Sequence, residues 1–247
     1  MPKRIVIIGA TSAIAQYCAR LWVSEEPAHF VLVGRDKAKL ATIAQDLEVR
    51  NSAASTQIES CDFTEPDVIA KLARALRQEG TLDLVLIAHG TLPDQQACQN
   101  DLSLAREAMT INGLSPVYFA EAFAGQMENQ AYGSLVVIGS VAGDRGRQSN
   151  YIYGAAKGLV ERYLQGLEHR LASTKVNLTL VKPGPTKTPM TVHMANHEKM
   201  APLEQVAREI VKGVKAKKRV IYTPRKWVLI MLIIRSIPAF VFGKMKI

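Results

Sequence analysis

Apolar residues in this chain fall in short β-rich runs separated by longer stretches of helical spacing. The runs lie at 4–8, 30–33, 57–60, 82–87, 135–139, 176–181 and 220–222. Several are continuous rather than alternating, as in Arg-Ile-Val-Ile-Ile at 4–8 and Leu-Val-Val-Ile-Gly at 135–139, which marks strands buried on both faces of a sheet. The stretches between them predict helices after Gly9 as far as Trp22, at 37–49, from near Pro66, over 102–127, through Tyr153 to about Leu171, and at 203–214. Strands and helices alternate throughout, so the pattern predicts an α/β fold: a single doubly wound parallel sheet with helices on both faces. Residues 1–224 make that domain and 225–247 an apolar and basic tail. Asn112-Gly113 and Pro116 interrupt the 102–127 helix, and 189–201, rich in Met, His and Asn, predicts a mobile loop beside a substrate.

Bulk composition narrows the class. The 247 residues suffice for one large domain, and 48% hydrophobic with 21% charged is ordinary for a folded soluble protein. Cys18, Cys61 and Cys98 are an odd, scattered set, which argues against disulfides and zinc and fits a reducing cytoplasm. Lys3 and Arg4 precede an apolar run, but Gly9 and Thr11-Ser12 follow too soon for a secretory signal. The net charge of +9 sits at one end: residues 212–247 hold ten Lys or Arg and no acid. The main domain is therefore near neutral, which disfavours a nucleic-acid partner and directs attention to what the tail touches.

The candidate chemistry gathers at 149–157. On a helix, Tyr153 and Lys157 share one face a turn apart, and an ammonium beside a phenol is expected to lower the phenol pKa toward working pH. Ser140 closes the 135–139 strand, at the carboxyl end where open α/β sheets bind ligands. Alone, a Tyr-x-x-x-Lys would be surface decoration; the serine and the strand make it a candidate proton-donor set. Near the amino terminus, Gly9-Ala10-Thr11-Ser12-Ala13-Ile14-Ala15 links a strand to a helix, where a dinucleotide pyrophosphate would rest on free N–H groups. Only the first glycine of the dinucleotide fingerprint is kept, so an ordinary βα turn is about as good a reading. After the second strand, Gly34 offers no carboxylate to adenosine ribose, while Arg35 offers a phosphate ligand. This favours NADPH over NADH, although Asp36 is one place away and could instead cap the next helix. Asp62 could meet an adenine edge or cap the helix near Pro66. His89 reads as a strand-end residue near a cofactor. Asn112 is either a kink or an amide aimed at the site. His193 and His197 lie at i, i+4 but lack acidic or cysteine partners, so no metal is expected.

Gly9-x-x-x-Ala13-x-Ala15, Asn112, Ser140, Tyr153-x-x-x-Lys157 and Pro183-Gly184 stand in the order and spacing of the short-chain dehydrogenase/reductase family, and the chain resembles that family over almost its whole length. The resemblance implies a Rossmann-type sheet and an NADP cofactor, NAD being the alternative. It implies that Tyr153 donates the proton, Lys157 lowers its pKa and grips the nicotinamide ribose, Ser140 holds the substrate carbonyl and Asn112 orders a relay water. Gly9, Thr11, Ser12, Ile14, Arg35, Asp62, Phe63, Ala88, Gly90, Pro183, Thr186 and Thr188 would line the cofactor, with the two threonines against the carboxamide. Two departures stand out: the two lost glycines, and Ile87-Ala88-His89-Gly90 where Asn-Asn-Ala-Gly is common.

Residues 140–157, and 220 to the end, further resemble reductases of polyprenylphosphoryl 2-keto-pentoses, which work beside a flavin-dependent oxidase. That implies a lipid-linked sugar ketone as substrate and makes Arg145 and Arg147 candidates for its phosphate. The tail has eight consecutive apolar residues at 227–234, then Arg235-Ser236, then a second apolar stretch around Pro238. It is shorter than the roughly 20 residues a span needs. Its Trp and flanking cations suit peripheral contact with the inner face of the plasma membrane, the alternative being packing on a partner subunit of a homodimer or homotetramer. Rival expectations are a reductase of another apolar ketone and an idle cofactor-binding scaffold.

Overall fold

The computed structural model describes residues 2–194 and 196–245. In chain order the elements are β1 Lys3–Ile8, α1 Ala13–Glu25, β2 Ala28–Gly34, α2 Lys37–Arg50, β3 Ser55–Ser60, α3 Pro66–Glu79 and β4 Leu84–Ile87. There follow α4 Gln95–Asn100, α5 Leu102–Met109, a π-turn Thr110–Leu114, α6 Ser115–Gln130, β5 Tyr132–Ile138, α7 Tyr151–Leu171 and β6 Lys175–Pro183. The chain ends in α8 Leu203–Lys215, β7 Val220–Thr223, α9 Lys226–Ser236 and α10 Ala239–Phe242.

The seven strands form one sheet in the order β3-β2-β1-β4-β5-β6-β7, every pair parallel. Continuous apolar strands are what such a sheet needs, because both faces are covered. Ile5 and Ile7 of β1 pack toward α1, α2 and α8, beside Cys18, Leu40 and Ile210. Val6 and Ile8 pack the other way toward α3, α6 and α7, beside Ile69, Phe123 and Leu164. Strand order reverses between β2 and β4 on either side of β1, and a crevice opens there at the carboxyl ends. Every candidate residue near Gly9 and Gly90 lies on that edge.

The interruption expected at Asn112-Gly113 and Pro116 is a π-turn joining two helices, with Asn112 and Gly113 inside it and Pro116 in the first turn of α6. Proline lacks the N–H that a helix interior needs, so the chain re-registers by one residue before it. The short helix α4 has no counterpart in the predicted elements. In the expected substrate loop, 3₁₀ turns cover Pro189–Thr191 and His197–Lys199, and Thr186 and Ala201 form a bridge. Among the described residues no helix is long and apolar enough to cross a membrane, and no metal-ligand cluster is present. His197 Nδ1 instead meets the Thr191 carbonyl at 2.9 Å.

Candidate active site

β5 delivers Ser140 to the crevice. Its backbone is extended, and its Oγ accepts from the Ala142 N–H at 3.1 Å, so its own hydroxyl proton stays free to donate. The following 3₁₀ turn, Val141–Gly143, lies against α7: a Cβ on Gly154 would come 2.9 Å from the Ala142 carbonyl oxygen. This backbone contact sets Tyr153, the next residue back, beside Ser140. Tyr153 is buried. Burial pushes its pKa up, and hydrogen bonding with Ser140 only partly opposes that. Lys157 is 3% exposed, donates to the Ile138 carbonyl at 3.1 Å, and has its pKa pushed by burial down to about 8. Its ammonium stands 5.8 Å from the Tyr153 ring centre.

The expected lowering of the tyrosine pKa by Lys157 is therefore not what this arrangement does. Desolvation is the main influence on the phenol and the Ser140 hydrogen bond opposes it, while the Lys157 ammonium itself lies buried and holds a backbone carbonyl. The result is a phenol kept protonated, the state a proton donor requires.

Asn112 sits at the kink that is one of its two expected readings. It is fully buried inside the π-turn, and its amide is spent on its neighbours. Oδ1 accepts from the Thr91 N–H at 2.9 Å, and Nδ2 donates to the Ala108 carbonyl at 3.0 Å and the Thr91 hydroxyl at 3.2 Å. The side chain braces the segment after β4 rather than reaching into open space. A Cβ on Gly90 would stand 2.9 Å from Asn112 Oδ1 and 3.6 Å from Lys157 Nζ, so Gly90, Asn112 and Lys157 do meet.

The turn after β1, where a dinucleotide is expected, is tightly built. Gly9 has φ +79°, and a Cβ there would come 2.7 Å from the backbone nitrogen and Cβ of His89, so only glycine fits. Thr11 is exposed and Ser12 and Ile14 half-buried at the start of α1. Ser12 makes no side-chain cap, which leaves the first-turn N–H groups for an anion. Ala15, in place of the third glycine, is fully buried in the core, and α1 packs with its methyl accommodated. At the end of β2, Asp36 is spent: its Oδ1 accepts from the Lys39 N–H at 3.1 Å and caps α2. Arg35 is exposed, has no carboxylate partner among the described residues, and lies near enough to Asp62 and His89 to bias both charges. An uncapped helix, a glycine-only contact and an unpaired arginine at this edge fit a phosphorylated dinucleotide.

Other predicted cofactor contacts are turned elsewhere. Asp62 neither caps α3, whose N-cap position is Glu65, nor extends outward. It closes on its own loop, accepting from the Thr64 N–H at 2.8 Å and hydroxyl at 2.7 Å. Phe63 is buried edge-on to His89 (4.7 Å between ring centres) and Phe119 (5.2 Å), forming the floor beneath the crevice. His89 is buried too, Nε2 at 2.8 Å from the Ser115 hydroxyl, and burial first, then Lys157 and Arg35, push its pKa down to about 3. With Ala88, whose N–H bonds the Ile8 carbonyl at 2.8 Å, it supplies the bracing that the missing asparagines put in question. Pro183 is buried at the end of β6; Thr186 donates to the Gly184 carbonyl at 2.9 Å, and Thr188 caps the 189–191 turn.

Two features escaped the sequence reading. The first is a buried ion cluster: Lys182 Nζ lies 2.6 Å from Asp144 Oδ1, 2.6 Å from Glu161 Oε1 and 3.3 Å from Tyr222 Oη, and Tyr222 donates to Asp144 Oδ2 at 2.8 Å. It joins the Ser140 loop, α7, β6 and β7. The second is the tail, which folds back onto the site. Trp227 lies on Gly184, its indole filling the space a side chain would take. Arg145, expected in a phosphate site, is taken up by the tail. Arg147 is half-buried, has no partner among the described residues, and has its pKa pushed down by burial. No local sequence pattern marks either feature, because the partners are tens of residues apart.

Residues 3–199 match the family model described as short chain dehydrogenase. The chain belongs to that family. Short-chain dehydrogenases are NAD(P)-dependent oxidoreductases. An uncharacterized oxidoreductase of Mycobacterium tuberculosis is 30% identical over 246 residues, covering 98% of this chain and 96% of its own. Among solved structures, a short-chain dehydrogenase from Sphingobium yanoikuyae in complex with NADPH superposes with a TM-score of 0.82 at 22% identity, covering 97% of both chains. A bulky-bulky ketone specific alcohol dehydrogenase from Comamonas testosteroni gives 0.79 at 21% identity over 100% of this chain and 95% of that one. At these identities the two structures speak for the short-chain dehydrogenase fold.

Proposed function

We propose that this protein is an NADPH-dependent ketone reductase acting on the 2-keto sugar of a polyprenylphosphoryl pentose and giving the arabinose-configured product. The observation that carries the chemistry is the meeting of Ser140, Tyr153 and Lys157 at the carboxyl end of β5, with the phenol held protonated. Bound NADPH would supply a hydride. Ser140 donates a hydrogen bond to the ketone oxygen and orients it. Tyr153 delivers a proton to the oxygen as it becomes an alkoxide, a base far stronger than phenolate. Lys157 places a positive charge near the phenolate left behind. Positioned proton transfer of this kind contributes about 10²–10⁴-fold. Arg35, unpaired at the end of β2, supports NADPH over NADH through a 2′-phosphate.

The substrate class rests on the resemblance of residues 140–157 and of the tail. Arg147 is the cation left for the substrate phosphate, since Arg145 is occupied. The same reading places a flavin-dependent oxidase upstream as the source of the ketone, a homodimer or homotetramer as the assembly, and the inner face of the plasma membrane as the site of work. A second reading, reduction of a water-borne bulky apolar ketone, is favoured by Trp227 and the apolar tail beside Gly184 and by the specificity named for the Comamonas enzyme.

The test is oxidation of NADPH and of NADH with a polyprenylphosphoryl 2-keto-pentose, followed by absorbance. Turnover with NADPH that disappears in Tyr153→Phe, and a preference for NADPH that collapses in Arg35→Ala, are expected. A Tyr153→Phe protein with undiminished turnover defeats the catalytic assignment. Turnover confined to bulky apolar ketones transfers the substrate to the second reading.

A further inference from the structure

We infer that α9 and α10 form a face that docks on an anionic bilayer surface, and that Arg145 clasps this face to the loop carrying Ser140. The inference deepens the proposal above by saying how a lipid-borne substrate is met, but the docking itself rests on the tail alone.

The helix α9 is apolar on every side from Trp227 to Ile234, a composition that belongs to a helix covered all round. Only one side is covered. Trp227 lies on Gly184, Met231 is buried, and Ile230 and Ile234 are half-buried against the domain. Val228, Leu229, Leu232 and Ile233 are each more than half exposed, and Phe240 of α10 is 75% exposed. At about 100° per residue those four outward positions of α9 span an arc of roughly 140°, with Lys226 at one edge and Arg235 at the other. Arg225 and Lys244 stand at the two ends. None of these four cations has a carboxylate partner among the described residues, and the sequence offers no acid beyond Glu209.

An exposed apolar patch edged by one sign of charge names its occupant by chemistry. A second copy packed about a two-fold axis would set these cations against their own images. An anionic bilayer satisfies both parts, taking the apolar arc at the acyl boundary and the cations at the headgroups. At about 1.5 Å per residue the eleven-residue α9 is about 16 Å long, too short to cross and suited to lying in the plane.

Arg145 couples that face to the site. Its guanidinium donates to the Ile237 carbonyl at 2.6 Å and to the Ile234 carbonyl, which closes the carboxyl end of α9, and lies 3.8 Å over the Phe242 ring. The neighbouring Asp144 is fixed in the buried Lys182 cluster, and Ser140 begins the same loop.

The experiment is flotation of the full chain with phosphatidylcholine vesicles, with and without phosphatidylglycerol, at low and high salt. Binding is expected only to the anionic vesicles, reduced by salt. It should fall at least tenfold in Leu229→Glu/Leu232→Glu, and about fivefold for each of Lys226→Gln and Arg235→Gln. Arg145→Met should leave vesicle binding in place but open 225–245 to protease, which a clasp requires. Equal binding to neutral and anionic vesicles, or none, overturns the docking face. So does a concentration-dependent dimer in sedimentation that Leu229→Glu/Leu232→Glu dissolves, since the occupant is then a second copy. An Arg145→Met tail as resistant to protease as the parent overturns the clasp. Flotation needs no ketone, so its failure is separable from failure of the reductase assay.

Discussion

Replacing Lys182 by methionine should unfold much of the margin on which this protein stands. The ammonium is 3% exposed and holds two carboxylates at 2.6 Å, of which Asp144 is wholly buried and Glu161 19% exposed. Methionine fills the space but leaves Asp144 with the Tyr222 hydroxyl at 2.8 Å as its remaining side-chain partner. An uncompensated buried carboxylate costs about 3–5 kcal/mol when one partner is removed, against a whole-domain stability of about 5–15 kcal/mol. Burial alone would depress the lysine pKa, but the bonds from Asp144 and Glu161 outweigh it and raise the value. A raised folded pKa means the contribution is complete below the ordinary lysine range and is lost only as pH climbs through the folded value, so pH 7 measures all of it. Urea unfolding followed by circular dichroism should show a midpoint lower by about 2 M at a slope of about 2 kcal/mol per molar. The triple variant Lys182→Met/Asp144→Asn/Glu161→Gln should recover most of the loss, because the stranded charges go with their partner. A single variant that loses less than about 1 kcal/mol would falsify the picture of a desolvated cluster, since exposed pairs are worth that little.

Two more outcomes follow from the site. Lys157 has its pKa pushed down to about 8, so kcat/KM for ketone reduction should fall as pH rises through that value and the ammonium is lost. Because the depressed pKa marks a charge disfavoured by burial, Lys157→Met should abolish turnover yet unfold at no lower a urea concentration at pH 7; a marked loss of stability would show that the ammonium holds the fold. Gly9→Ala should cost about 1–2 kcal/mol for the left-handed backbone and about 1–3 kcal/mol for the clash with His89. It should also weaken NADPH binding, read by cofactor fluorescence, and unchanged stability with unchanged binding would refute the cradle at the end of β1.

Much of this was legible in the chain itself. Continuous apolar strands such as 4–8 and 135–139 can be buried only between two layers of helices, so composition along the sequence leads directly to a parallel sheet. The Tyr153-x-x-x-Lys157 spacing and the place of Ser140 after a strand are local facts, and helix and strand geometry carry them into one crevice without further help. Asp36 could be read as a cap of α2 because capping acts over three residues.

What tertiary structure decided is everything that depends on who lies opposite. The helical period puts Lys157 beside Tyr153, but only packing shows that burial pushes the phenol pKa up. Proline and glycine mark a break near Asn112, while the direction of its amide toward Thr91 is set by how β4 ends against the π-turn. Asp144, Glu161, Lys182 and Tyr222 are ordinary residues scattered over 78 positions until the sheet closes, and a desolvated charge cluster exists only once all four sit together. Arg145 and Arg147 are two residues apart and alike in sequence. The fold gives the first to the tail helix and leaves the second without a partner among the described residues, because hydrogen-bond partners and dielectric are properties of the surroundings and not of the residue.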